Sequence, residues 1–178
     1  LLDLGHRRFG VIAGIQANND RVQDRIAGVR LALAERGLTF DDDCLVECRY
    51  DICEARAGTA RVLGARPRPT ALVCINDVLA LGAIFECQAR GIDVPGEVSV
   101  FGFDDLEFAQ HMHPALSTVR VPTDRVGEEA LDQLIARVRR QPGIVHSREI
   151  EVDLIPRGST APPAGSRKRR PARSHTKR

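Results

Sequence analysis

The sequence predicts an α/β fold built on a doubly wound parallel sheet. Three observations carry that expectation. Short apolar runs rich in β-branched residues alternate with amphipathic stretches. Each run is apolar nearly throughout, as strands covered on both faces are. Polar residues gather directly after the runs, where a parallel sheet opens its carboxyl edge.

The elements follow in order. Residues 9–15 form the first strand. Residues 21–36 read as a helix, with Val22, Ile26, Val29 and Leu33 at helical spacing and Gly37 free to take the left-handed stop. A short, weak strand lies near Val46. A second helix spans about 53–65 and is ended by Arg66-Pro67-Arg68-Pro69, because proline cannot continue it. Residues 70–75 are the next strand, 78–90 a helix stopped by Gly91, and 98–103 a further strand. The order β-α-β-α-β-α-β is that of a parallel sheet with helices on both faces.

After Phe103 the pattern changes. A loop runs through His111, His113 and Pro114 to a strand at 117–121. Pro122 and Thr123-Asp124 then open a helix to about residue 140, with Val126, Ala130, Leu131, Leu134, Ile135 and Val138 on one stripe. Residues 148–155 read as a last strand. From Ala161 the chain is rich in Pro, Ser and Arg and is expected to be disordered.

Composition narrows the function classes. The chain has 178 residues, 43% hydrophobic and 28% charged, which suits one globular domain. No run of 18 apolar residues offers a membrane span. The start resembles no signal peptide, so a cytoplasmic protein is expected. Cys44, Cys48, Cys53, Cys74 and Cys87 form no Cys-x-x-Cys pair and read as reduced thiols. The net charge of +2 comes from the tail: residues 161–178 hold seven Lys or Arg, and the remainder has 19 basic against 24 acidic residues. Aromatic content is 4% with no Trp, so no base-stacking surface is offered. No nucleophile elbow, phosphate loop or His-Glu-x-x-His occurs, and the chain reads as a non-enzyme without a cofactor. His111 and His113 share a loop, but no metal site is expected there.

The strand ends supply a candidate site. Gln16 to Asp20 follow the first strand and lead into Arg21 and Arg25. Asn76-Asp77 and Asp104-Asp105 follow two later strands, and Tyr50 follows the weak one. Carboxylates, amides and guanidinium groups converging on one rim suit hydroxyl-rich or heterocyclic molecules, and Tyr50 offers a face for stacking. Taken singly, these residues are ordinary turn formers and helix caps. Asn19, Arg21, Arg25, Tyr50, Asn76 and Asp104 are the candidates. The helix at 78–90 is apolar on more than one face, which predicts the sheet on one side and a partner subunit on the other.

These stretches carry a family likeness. Leu4-Gly5-His6-Arg7-Arg8, Asp24-Arg25-Ile26-Ala27-Gly28, Asn76-Asp77-Val78-Leu79-Ala80-Leu81-Gly82 and Leu116-Ser117-Thr118-Val119-Arg120-Val121-Pro122 all contribute. The most specific is Pro95-Gly96-Glu97-Val98-Ser99-Val100-Phe101-Gly102-Phe103-Asp104-Asp105. The sequence resembles the effector-binding core of LacI/GalR-family transcriptional regulators over residues 1–162. The resemblance implies a periplasmic-binding-protein-like type I fold, in which two subdomains clamp an effector. It divides the chain into the C-terminal subdomain at 1–121, a returning piece of the N-terminal subdomain at 122–145, a last strand of the C-terminal subdomain at 146–160, and a basic tail at 161–178. It implies that Arg25, Asn76 and Asp104 hold the effector, that Tyr50 packs on it, and that Arg21 tunes specificity. It implies a homodimer, with Leu79, Ala83 and Ile84 at the interface. A small-molecule effector, a sugar above all, is the expected partner. Operator DNA is expected to be reached only through a helix-turn-helix outside this chain. A free-standing periplasmic-type sugar-binding protein is the alternative. The pattern departs at Val121, where Gln is common, and at Cys48-Arg49, where Gly-Asp is common.

Overall fold

Phe9–Ala13 is the central strand, β1, and all five residues are buried. In the computed structural model, which describes residues 1–40, 42–139 and 147–165, three more strands pair with it directly or in turn. They are β2 (Leu45–Glu47), β3 (Ala71–Cys74) and β4 (Ser99–Phe101), and the order across the sheet is β2-β1-β3-β4. Every pairing is parallel, with Val11 opposite both Leu45 and Val73, and Leu72 opposite Val100.

Three helices make the crossovers: α1 (Asp20–Ala34), α2 (Ile52–Leu63) and α3 (Asp77–Ala89). Each starts at a polar cap at or just beyond a strand end. Asn19, Asp51 and Asn76 accept from the backbone N–H groups of Val22, Glu54 and Val78. A lost cap of this kind costs about 1 kcal/mol. The sheet is therefore joined to its helices by the same residues that edge the cleft.

The core has two faces. Ile12, Leu72 and Val100 pack with Val62, Leu79 and Ile84 under α2 and α3. Val11 and Ile75 pack with Val22 and Ile26 under α1. Full burial of such a side chain contributes about 1.5–3 kcal/mol, so these contacts dominate the stability of the sheet.

The expected interface residues of α3 need correction. Leu79 and Ala83 are 0% exposed and Ile84 is 1% exposed, so they belong to the chain's own core. The reason is α2, which lies against α3 where a partner subunit was expected. A Cβ at Gly82 would stand 2.5 Å from Ala55 Cβ and 3.0 Å from the carbonyl oxygen of Ile52. The outward stripe of α3 is instead Val78, Leu81 and Phe85, of which Phe85 is 41% exposed.

Beyond β4 the chain forms a short 3-10 turn at Glu107–Gln110 and then β5 (Thr118–Arg120). Single parallel bridges from Phe101 to Ser117 and from Asp104 to Arg120 join β5 to the sheet edge. The helix α4 (Thr123–Val138) follows, and the chain returns as β6 (Asp153–Ile155), antiparallel to β5. The last strand is shorter than the expected 148–155, because β5 offers only three residues before Pro122 ends the pairing. No residue of α4 is fully buried, and Leu131, Leu134 and Val138 stay exposed.

The expected disorder from Ala161 also needs correction. The Ala161 carbonyl accepts from His6 Nε2 at 2.8 Å and from Ser99 Oγ at 3.0 Å, so the chain is still fastened there. Of the basic tail, residues 166–178 lie outside the described residues.

Candidate functional site

The six residues singled out on the strand ends line one cavity. Asn19, Arg21, Arg25, Tyr50, Asn76 and Asp104 enclose about 210 Å³ at the carboxyl edge of the sheet. They come from the starts of α1 and α3 and from the loops after β2 and β4. The crossover topology brings them together, since every parallel strand ends on the same edge.

Asp104 is the hub. Its Oδ2 accepts from the Asn76 side-chain amide at 2.5 Å, and its Oδ1 lies 3.4 Å from Arg25 Nη2. Asn76 serves two partners at once. Its Oδ1 accepts from Val78 N–H at 2.8 Å, capping α3, while its NH2 group turns to Asp104. Asn19 likewise spends its Oδ1 on Val22 N–H at 3.3 Å, which leaves its NH2 group for the cleft.

Arg25 is held on three sides. Its Nη1 donates to the Ile75 carbonyl at 2.8 Å, its Nη2 faces Asp104, and its guanidinium carbon sits 3.7 Å from the centroid of the Phe103 ring. A guanidinium fixed by a carbonyl, a carboxylate and a ring face keeps its remaining N–H groups in a defined plane. Sequence reading missed Phe103, although its place next to Asp104 at the end of the strand run was the available signal.

Tyr50 forms the wall opposite. It is 49% exposed and lies over Gly14. A Cβ at position 14 would stand 2.6 Å from the Tyr50 hydroxyl oxygen, so only glycine lets the phenol lie down on the strand end. Gly14 was also missed, for it has no chemistry of its own.

Asp77 and Asp105 do not join the cavity. Asp77 is 0% exposed; its Oδ1 accepts from the Thr118 hydroxyl at 2.7 Å and its Oδ2 from Leu106 N–H at 2.8 Å. Burial pushes its carboxyl above the usual range, against the pull of these hydrogen bonds. Asp105 turns to the far side of the loop and pairs with Arg120 and Arg157. Burial acts to raise its pKa, but the hydrogen bonds and charges of the two arginines prevail and hold it below the usual carboxylate range.

A larger cavity of about 610 Å³ lies elsewhere, between the first residues, α1 and β6. Leu1, Leu2, Phe9, Val29, Leu33 and Leu154 line it. Its walls are mostly apolar, and two of its charged residues, Asp3 and Arg36, are spent on each other at 2.8 Å, so the smaller polar cavity is the better candidate for a small polar molecule despite its size.

Arg25, Asn76 and Asp104 thus present a fixed mixture of donors and carboxylate oxygens, with Tyr50 as a flat wall. That arrangement has the chemistry to engage neighbouring hydroxyls or the edge of a heterocycle.

Comparison with known proteins agrees with this architecture. The sequence matches the periplasmic binding protein-like domain family over residues 1–160. It is 31% identical over 159 residues to the HTH-type transcriptional repressor PurR of Vibrio campbellii, covering 89% of this chain and 47% of that repressor. The chain thus spans about half the length of this curated relative. Among solved structures, a LacI family transcriptional regulator from Mycobacterium smegmatis aligns with a TM-score of 0.82 and 30% identity, covering 92% of this chain and 61% of that one. A sugar-binding LacI-family regulator from Escherichia coli, complexed with phosphate, aligns with a TM-score of 0.82 and 29% identity, covering 91% and 58%. This chain belongs to the periplasmic binding protein-like domain family, in the form that LacI-family regulators carry.

Proposed function

We propose that this chain is the effector-sensing part of a LacI-type transcriptional regulator, and that it binds a small polar molecule, a sugar or nucleobase-like compound, in the cleft around Asp104. The observation that carries this is the convergence of six polar and aromatic residues from four strand ends on one cavity. The sugar-binding description of the Escherichia coli relative supports a hydroxyl-rich effector. The relatives being regulators favours this reading over a free-standing sugar-binding protein.

In this reading residues 1–121 and 146–160 form one lobe of a clamp, and 122–145 belong to the opposing lobe. The exposed apolar stripe of α4 supports that division, since none of its residues is buried against a sheet among the described residues. The effector closes the clamp, and the shift in lobe populations alters operator binding by DNA-reading segments outside the chain, in the cytoplasm. A second copy docks on the outward stripe of α3, at Leu81 and Phe85.

Tyr50 provides the test. It is the only tyrosine of a chain without tryptophan, so intrinsic fluorescence reads the cleft alone. Titration with D-ribose, D-glucose, cellobiose and hypoxanthine should give a saturable change with at least one of them. A flat response to all four would contradict the proposed ligand class.

A further inference from the structure

Asp104 and Asp105 are sequence neighbours with opposite surroundings. The Asp104 carboxylate edges the cleft and its side chain is 28% exposed. The Asp105 side chain is 7% exposed and faces away. Its Oδ1 lies 2.6 Å from Arg157 Nη2 and its Oδ2 lies 2.7 Å from Arg120 Nε.

The two arginines have telling positions. Arg120 is the last residue of β5, by which the chain leaves the sheet for α4. Arg157 lies just beyond β6, by which it comes back. Arg157 is anchored further: its Nη1 donates to the Leu116 carbonyl at 2.8 Å, and its backbone N–H donates to Ser117 Oγ at 2.8 Å. One buried carboxylate therefore ties the outgoing and the returning segment together, a single peptide bond away from the cleft carboxylate.

The backbone leaves little slack between the two. Asp104 has φ +107° and Asp105 has φ +53°. The first value is rare for a residue with a side chain, so neighbouring bonds have to hold it. The Asp104 N–H donates to the Val119 carbonyl of β5 at 2.9 Å, which adds a main-chain link to the ionic one.

We propose that Asp105 is a positioning residue that couples the cleft to the two strands carrying α4, so that a molecule seated on Asp104 is felt at Arg120 and Arg157. The proposal rests on the reading of the cleft as an effector site. Asp105 fixes the conformation in which Asp104 reaches Arg25 and Asn76. Reciprocally, any load on Asp104 is passed to β5 and β6, since coupling between two sites acts in both directions. Cleft and crossover are joined by the Asp104–Asp105 peptide bond, by the Asp104 N–H bond to β5, and by the short charge-assisted bonds of Asp105 to Arg120 and Arg157.

Amide hydrogen exchange on the full chain tests this without any effector. In Asp105→Asn, the Asp104 amide should exchange at least about tenfold faster, while the Cys48 and Ile75 amides, bonded to β1, keep their rates. Arg120→Gln removes one of the two bonds and should give the same local pattern at about threefold; it also decides the matter if Asp105→Asn fails to fold. An unchanged Asp104 rate, or an equal acceleration of all three amides, would overturn the proposal. A failure of the cleft to bind an effector would show only in ligand titration, so the two results stay separate.

Discussion

Asn76 and Asp104 stand 28 positions apart and follow different strands, yet their side chains meet at 2.5 Å. The same Asn76 caps α3 with its other atom. A single amide thus sets both the start of a helix and the orientation of the cleft carboxylate. Asn76→Ala should lower helix and protein stability by about 1 kcal/mol through the lost cap. It should also weaken effector binding at least tenfold, more than a pure stability effect would. Urea denaturation alongside titration of Tyr50 fluorescence separates the two.

Gly14 sets the position of Tyr50. Gly14→Val places carbon where the phenol now lies. The altered Tyr50 environment should appear as a changed near-ultraviolet circular dichroism signal, with effector affinity reduced at least tenfold.

The two buried aspartates should act oppositely on acid stability. Asp105 has a depressed pKa when folded. Its contribution is present above the unfolded value of about 3.9 and is lost as pH falls through the folded value. Asp77 has a raised pKa when folded. Its contribution is full below about 3.9 and is lost as pH rises through the folded value. Urea denaturation across acidic and neutral pH should therefore show a smaller acid loss in Asp105→Asn. In Asp77→Asn the decline on the rising side should disappear.

The outward and inward faces of α3 should separate cleanly. Ile84→Ala removes a buried side chain and should cost about 2–5 kcal/mol in denaturant. Phe85→Glu should leave monomer stability within about 1 kcal/mol and lower the sedimentation mass if a second copy docks there.

These variants also mark how far the sequence could be read. Arg25, Asn76 and Asp104 were legible because strand ends in a parallel sheet share an edge, so order along the chain implies proximity in space. The burial of Leu79, Ala83 and Ile84 was not, because a helix apolar nearly all round gives no direction from periodicity alone. Asp105 was grouped with Asp104 on one rim. Two consecutive positive φ angles after a three-residue strand decide otherwise, and alternation has no hold on them. Phe103 and Gly14 act through a ring face and an absent side chain, which residue chemistry does not announce.

The apolar stripe of α4 makes its own prediction. Leu131 is 56% exposed, Leu134 58% and Val138 76%, which is too much contiguous apolar surface for a lone monomer at high concentration. The chain should self-associate with rising concentration, and Leu131→Lys with Leu134→Lys should reduce that in sedimentation experiments.

The most direct test of the central claim is calorimetric titration of the chain and of Asp104→Ala with the compound that perturbs Tyr50. A saturable heat is expected for the unaltered chain, with affinity in Asp104→Ala reduced at least tenfold and thermal stability nearly unchanged. Equal affinity in the two proteins would contradict it.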